Sequence, residues 1–109
     1  MATTYKVLGQ SNPSATTATT LYTVPGATQT VVSTITVCNQ ASTAGTYRIA
    51  VRIAGAALAA SQYIAYDVSL PGNTTDTLTL GLTLGATDVV TVYASSANFS
   101  FAAYGSEIS

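Results

Sequence analysis

The sequence predicts an all-β fold: a single-domain antiparallel β-sandwich or jelly roll of about eight short strands. Three observations carry this expectation. Short runs rich in Val, Ile, Thr, Tyr and Leu recur at roughly 8–12-residue spacing. Between them stand clusters of Gly, Pro, Asn and Ser that mark turns. No stretch shows the apolar spacing of an amphipathic helix. The 109 residues read as one domain, 1–109. A chain of this size buries roughly 65% of its unfolded surface, so a core is feasible without staples.

Taken in order, Thr4–Gln10 combines β-formers with a glycine near its end and reads as a short first strand at a sheet edge, where Lys6 discourages unwanted pairing. Ser11–Thr20 is low in complexity and punctuated by Pro13; it reads as an extended arm or a loop. Leu21–Val24 is a short strand stopped by Pro25–Gly26, a dipeptide suited to the central positions of a type II turn, with Gly26 at positive φ.

Val31–Asn39 and Thr46–Ala54 read as two strands folded back on each other through the polar turn Gln40–Gly45. With Ile35 opposite Ile49, Val37 faces Tyr47 and Val31 faces Ile53, so every apolar partner shares a face. The other face sets Val32, Thr34, Thr36 and Cys38 against Arg52, Ala50, Arg48 and Thr46. Gly55–Ala60 is a helical turn or a loop, too short to hold a helix alone. Ser61–Leu70 is then expected to pair antiparallel with Thr46–Ala54. That register sets Val51 against Ile64 and Ile49 against Tyr66 on the apolar face. On the polar face it makes an Arg48–Asp67 ion pair and an Arg52–Tyr63 cation–π contact. Placing these strands in different sheets would remove both.

Pro71–Asn73 is the clearest turn. Thr75–Leu84 alternates cleanly, with Leu78, Leu80, Leu82 and Leu84 on one face. Gly85–Thr87 is expected to close a hairpin to Asp88–Ser95, with Leu82 opposite Val90 and Leu80 opposite Val92. A turn near Ser96–Ala97 leads to Asn98–Ile108, where Phe99 and Phe101 continue the Val90/Val92 face. The expected core is Val31, Ile35, Val37, Tyr47, Ile49, Val51, Ile64, Tyr66, Leu78, Leu80, Leu82, Val90, Val92, Phe99 and Phe101.

Composition narrows function more by exclusion than by assignment. Charged residues are 6% of the chain and the formal net charge is −1, against about 25% charged residues in ordinary soluble domains. No basic stripe suits nucleic acid and no polybasic patch suits anionic lipid. A surface tiled with Thr, Ser, Asn and small apolar residues is expected either to be covered by neighbouring subunits or to belong to a robust extracellular β-domain. The N-terminus lacks the pattern of a signal peptide, and Ile53–Ala60 is too short to span a bilayer. A soluble protein made in a cytoplasm is expected.

There is no histidine, which removes the commonest general base and the usual Ser- and Cys-based triads. The carboxylates are Asp67, Asp76, Asp88 and Glu107. Asp76 and Asp88 flank the leucine-rich segment; a glycosidase pair would need them to face each other, whereas turn-adjacent Asp ordinarily bonds local backbone. The single cysteine, Cys38, excludes an internal disulfide and has no basic neighbour to activate it. Catalytic, cofactor and metal residues are therefore assigned to none. Asn73–Thr75 and Asn98–Ser100 match the glycosylation acceptor pattern, read as chance matches. Arg48 and Arg52 carry two of only three basic charges. They read either as structural partners of Asp67 and Tyr63 or as anchors of a subunit contact, where Arg is enriched. Arg48, Arg52, Tyr63 and Asp67 form the candidate interface.

The segments TTLYTVP (Thr19–Pro25), VVSTITVCN (Val31–Asn39), TYRIAV (Thr46–Val51), YIAYDVSL (Tyr63–Leu70) and DVVTVYASSANFSFAAYGSEI (Asp88–Ile108) together resemble small virion structural proteins of tailed bacteriophages, especially those infecting cyanobacteria. The likeness runs along nearly the whole chain. The resemblance implies a β-sandwich or jelly roll with a non-enzymatic role in particle assembly, no cofactor and no catalytic motif. By itself it does not distinguish head, neck, tail or fibre. Small size, a single domain, low charge and the lack of catalytic chemistry lead to the expectation of a head decoration, or cement, protein that binds the major capsid protein or other virion proteins as a homo-oligomer, a dimer or trimer. A tail, neck, baseplate or fibre component, including a host-receptor or glycan-binding module, is the other expectation. Location in the virion follows from either.

Overall fold

Alternation of apolar and hydroxyl-bearing residues resolves into eight strands: β1 (Thr3–Ser11), β2 (Thr19–Thr23), β3 (Gln29–Asn39), β4 (Gly45–Arg52), β5 (Tyr63–Leu70), β6 (Thr74–Leu84), β7 (Val89–Ala94) and β8 (Phe99–Ile108). The computed structural model describes residues 2–109. Between β4 and β5 lie two single-turn 3-10 helices, Ile53–Gly55 and Ala60–Gln62. One sheet has the order β1-β8-β3-β6 and the other β2-β7-β4-β5, with every pairing antiparallel. β1 pairs β8, β2 pairs β7, β3 pairs β6 and β4 pairs β5. This is one long hairpin with its tip at β4–β5, rolled into two layers, which is the jelly-roll arrangement of a sandwich.

The core lies between the layers. Val32, Ile35, Val37, Phe99, Phe101 and Ala103 enter it from the first sheet, and Tyr47, Ile49, Leu70, Val90, Val92 and Ala94 from the second; all are buried. The Tyr47 ring meets Phe101 edge-on with centroids 6.1 Å apart, and lies 6.4 Å from Phe99. Each such side chain contributes about 1.5–3 kcal/mol by leaving water.

Several expected pairings are replaced. β3 and β4 do not form a hairpin, because they belong to opposite sheets. Ile35 sits between Leu78 and Ala103, while Ile49 sits between Ala65 and Val92. Both are core residues from facing layers. An inward apolar face satisfies the alternation equally well whether its partner lies beside it or across from it. The β6–β7 hairpin fails for the same reason: Leu82 faces Val32 on β3, and Val90 faces Val51 on β4. Phe99 and Phe101 likewise oppose Val90 and Val92 across the core rather than extending their sheet face.

Irregularities in the strands moved other residues. The register shifts between Val32 and Thr34, so Val32 replaces Val31 in the core and Ile35 and Val37 keep their inward places. On the facing strand Leu80 and Gly81 fall within that shift, with Gly81 at φ 66°, and Leu80 emerges 37% exposed. In β5 two shifts turn Ile64 and Tyr66 outward, 44% and 57% exposed. At the turn after β2 the positive-φ residue is Ala27, at 55°, and not Gly26, so the expected type II geometry is absent. The segment between β1 and β2 is tethered to the body: Asn12 Nδ2 donates to the carbonyls of Ala97 and Phe99, and the Thr16 amide donates to Ala94 O.

The two long sides of the sandwich differ. At the β1/β2 side the chains approach closely, since a Cβ on Gly9 would lie 2.2 Å from Leu21 O. The Glu107 carboxylate there accepts a hydrogen bond from Tyr22 Oη and binds Lys6 Nζ at 2.9 Å. At the β5/β6 side the layers stay apart, and a hollow of about 350 Å³ opens between them, lined by Tyr47, Ile64, Val68, Leu78 and Leu80.

Candidate functional site

The candidate site forms on the outer face of the second sheet. Because Tyr47 and Ile49 point into the core, Arg48 between them points out. On one side its neighbour is Tyr93 of β7, directly opposite in register. On the other side β5 carries a bulge: Tyr47 pairs Val68 and Ile49 pairs Ala65, leaving Tyr66 and Asp67 together opposite Arg48. Asp67 adopts φ 49° to do so. A bulge that sets two residues against one re-aims side chains, and here it presents a ring and a carboxylate to the same guanidinium.

Arg48 Nε donates to Asp67 Oδ1 at 2.6 Å and Nη2 donates to Oδ2 at 3.2 Å, the forked geometry that arginine favours. The guanidinium carbon lies 4.2 Å from the Tyr66 ring centroid and 4.3 Å from that of Tyr93, within cation–π range of both. Tyr63 meets Tyr66 edge-on with centroids 4.9 Å apart. The Arg48 hydrogen bonds hold the Asp67 carboxyl below the usual carboxylate range, and Asp67 in turn pushes Arg48 upward.

Of the four residues singled out from the sequence, Arg48, Asp67 and Tyr63 gather here through Tyr66. Arg52 does not join them. Its Nε donates to Ala56 O at 2.7 Å and its Nη2 to Gly55 O at 2.9 Å, clamping the turn that leaves β4. The expected Arg52–Tyr63 contact is absent because the bulge at Ile64 sets Tyr63 opposite Ala50. Sequence reasoning assigned Tyr66 to the core; nothing in YIAYDVSL marks a bulge. The outward position of Tyr93 follows from its alternation with Val92.

The remaining polar groups serve the scaffold. Asp76 accepts from the Tyr47 hydroxyl at 2.9 Å, across the mouth of the open side. Asp88 accepts from the amides of Ala54 and Gly85. These two carboxylates stand at opposite ends of β6 and do not approach. Cys38 is half-buried between Thr75 and Ser100 on neighbouring strands. Among the described residues no three His, Cys, Asp or Glu side chains cluster for a metal. The cluster around Arg48 sets two planar rings and one carboxylate against a single guanidinium. Comparison with protein-family models, curated proteins and solved structures yields no match in any of the three.

Proposed function

We propose that the protein is a non-enzymatic virion structural protein, a capsid decoration or cement protein that binds the outer shell and stabilises it. The observation that carries this reading is the Tyr66–Arg48–Tyr93 stack with its Asp67 fork, in a chain with so few charges. Tyr and Arg dominate binding hot spots, and a side chain already locked by its neighbours loses little entropy on contact. The jelly roll hosts viral shell domains among other uses; that is a fold-level analogy and supports the reading only as such. The sequence resemblance supports a virion structural role, shared by head and tail proteins alike. The partner is the major capsid protein, and many identical weak contacts on a lattice sum to firm attachment.

The test is copy number and shell stability. Quantitative mass spectrometry of purified virions is expected to give a copy number on the scale of the major capsid protein. Particles lacking the protein are expected to release DNA at lower temperature and to regain stability on its addition. Arg48→Asp protein is expected to fold and fail to rescue. A few copies per particle, or rescue by that variant, would refute the cement role.

A tail or fibre module that binds host glycan is the second reading. It is favoured by the hollow beside the stack, lined by Leu58, Ala59, Ala60, Tyr63 and Tyr66. One face of Tyr66 is already occupied by Arg48, which leaves less ring for a sugar. Glycan-array binding that is lost in Tyr63→Ala would favour this reading.

A further inference from the structure

We infer that the open β5/β6 side of the sandwich is a homodimer contact, in which a second copy of this chain packs against the same seam about a two-fold axis. The seam lies where the two sheets fail to close, and it exposes residues that continue directly into the core. Ile53 is 73% exposed, Ile64 44% and Leu80 37%. Ile64 belongs both to the hollow it shares with Leu78 and Leu80 and to the adjoining one it shares with Val51 and Ile53. The apolar surface is therefore continuous along this side.

Charge and size favour a second copy as the occupant. Among the described residues no lysine or arginine lines either hollow, and the only carboxylate, Asp76, is engaged by Tyr47. Each seam thus carries a single carboxylate, whose hydrogen bond to Tyr47 turns it toward its own subunit, and is otherwise uncharged. β6 has 11 residues, which at strand rise is about 36 Å of edge. Two layers about 10 Å apart with their side chains give a depth of roughly 20 Å. β5, the shorter of the two edges, has 8 residues, about 26 Å, so the two-layer flank offers roughly 500 Å² per partner, or about 1,000 Å² in all, which meets the lower bound of a specific interface.

The strand edges also explain closure. The bulge at Leu80–Gly81 and the two shifts in β5 interrupt the backbone ladder at both edges, which disfavours edge-to-edge strand addition. The contact is made by side chains. A self-complementary patch related by a two-fold closes as a pair and does not propagate into fibres. This inference concerns the isolated chain and stands apart from where the protein sits in a particle.

Sedimentation equilibrium of the purified full chain tests it. The wild-type protein is expected to be a dimer at micromolar concentration. Ile64→Lys and Leu80→Lys are each expected to shift it to monomer with unchanged far-UV circular dichroism. Ile64→Thr, which is milder, covers the case of a lysine variant that fails to fold, and is expected to raise the dimer dissociation constant at least tenfold. Tyr5→Lys, on the outer face of the other sheet, is expected to leave the dimer intact. A monomeric wild type, a trimer, or a dimer indifferent to substitutions at Ile64 and Leu80 would each overturn the inference. Loss of capsid binding in an Arg48 variant would bear on the cement role and not on the seam.

Discussion

Asn39 shows how much a single side chain carries in this fold. It is fully buried at the end of β3. Its Nδ2 donates to the carbonyls of Thr43 at 3.0 Å and Leu70 at 3.1 Å, and its Oδ1 accepts from the Ala41 amide at 3.0 Å. One amide thus ties the loop before β4 to the end of β5. Asn39→Ala is expected to cost about 2–3 kcal/mol by leaving buried backbone groups unpaired, measured by urea denaturation. Glu107 sets the acid limit. The Tyr22 hydrogen bond, with Lys6 adding to it, holds its carboxyl below the usual range. A depressed folded value stabilises the native state above the unfolded pKa of about 4.3 and withdraws that support as pH falls through the folded value. Melting temperature is expected to drop across that acid window, and Glu107→Gln to flatten the drop. Tyr22 behaves oppositely: burial, then its bond to Glu107, pushes its phenol up to about 12. Its contribution holds below about pH 10 and is lost as pH rises toward that value.

At the scale of elements, glycine and bulges decide what strand propensity leaves open. Gly9 lets β1 approach β2, and a methyl group there would strike the Leu21 carbonyl. Gly9→Ala is expected to destabilise by about 1–3 kcal/mol, as other overpacking changes do, with calorimetry as the check. The bulge in β5 assembles the Arg48 cluster. Because Arg48 and Asp67 are solvent-facing, Arg48→Ala is expected to shift melting temperature little; under the proposed cement role it is expected to weaken binding strongly in a virion co-sedimentation assay. All eight strands were legible in the sequence, since each needs only local alternation bounded by turns. The Arg48–Asp67 contact was legible from β4 and β5 being consecutive and paired. The role of Tyr66 was not, because a one-residue shift flips every side chain beyond it, and what stabilises the shift lies on other strands.

At the scale of the molecule, the rolled hairpin makes most pairings distant in sequence. Only β4 and β5 are neighbours in both chain and sheet. Loop closure must precede the reward of such pairings, so refolding is expected in the millisecond-to-second range of non-local β folds. Stopped-flow fluorescence of the tyrosines measures it; a microsecond phase carrying the full amplitude would contradict the expectation. The same rolling leaves one side closed by Gly9 and the Glu107 bonds, and the other open at Ile64 and Leu80. That asymmetry underlies the proposed dimer contact.

The sequence by itself determined that the chain is all-β, where its strands run, and, within each unbroken stretch, which face turns inward. Ile35, Val37, Ile49, Val90, Val92, Phe99 and Phe101 were readable in this way, because period-two alternation is local. Tertiary structure alone decided that β3 lies across from β4, that Val32 displaces Val31, and that Ile64, Tyr66 and Leu80 face out. An inward face matches any apolar partner, beside it or opposite, and only closure of both layers around one core selects among the partners.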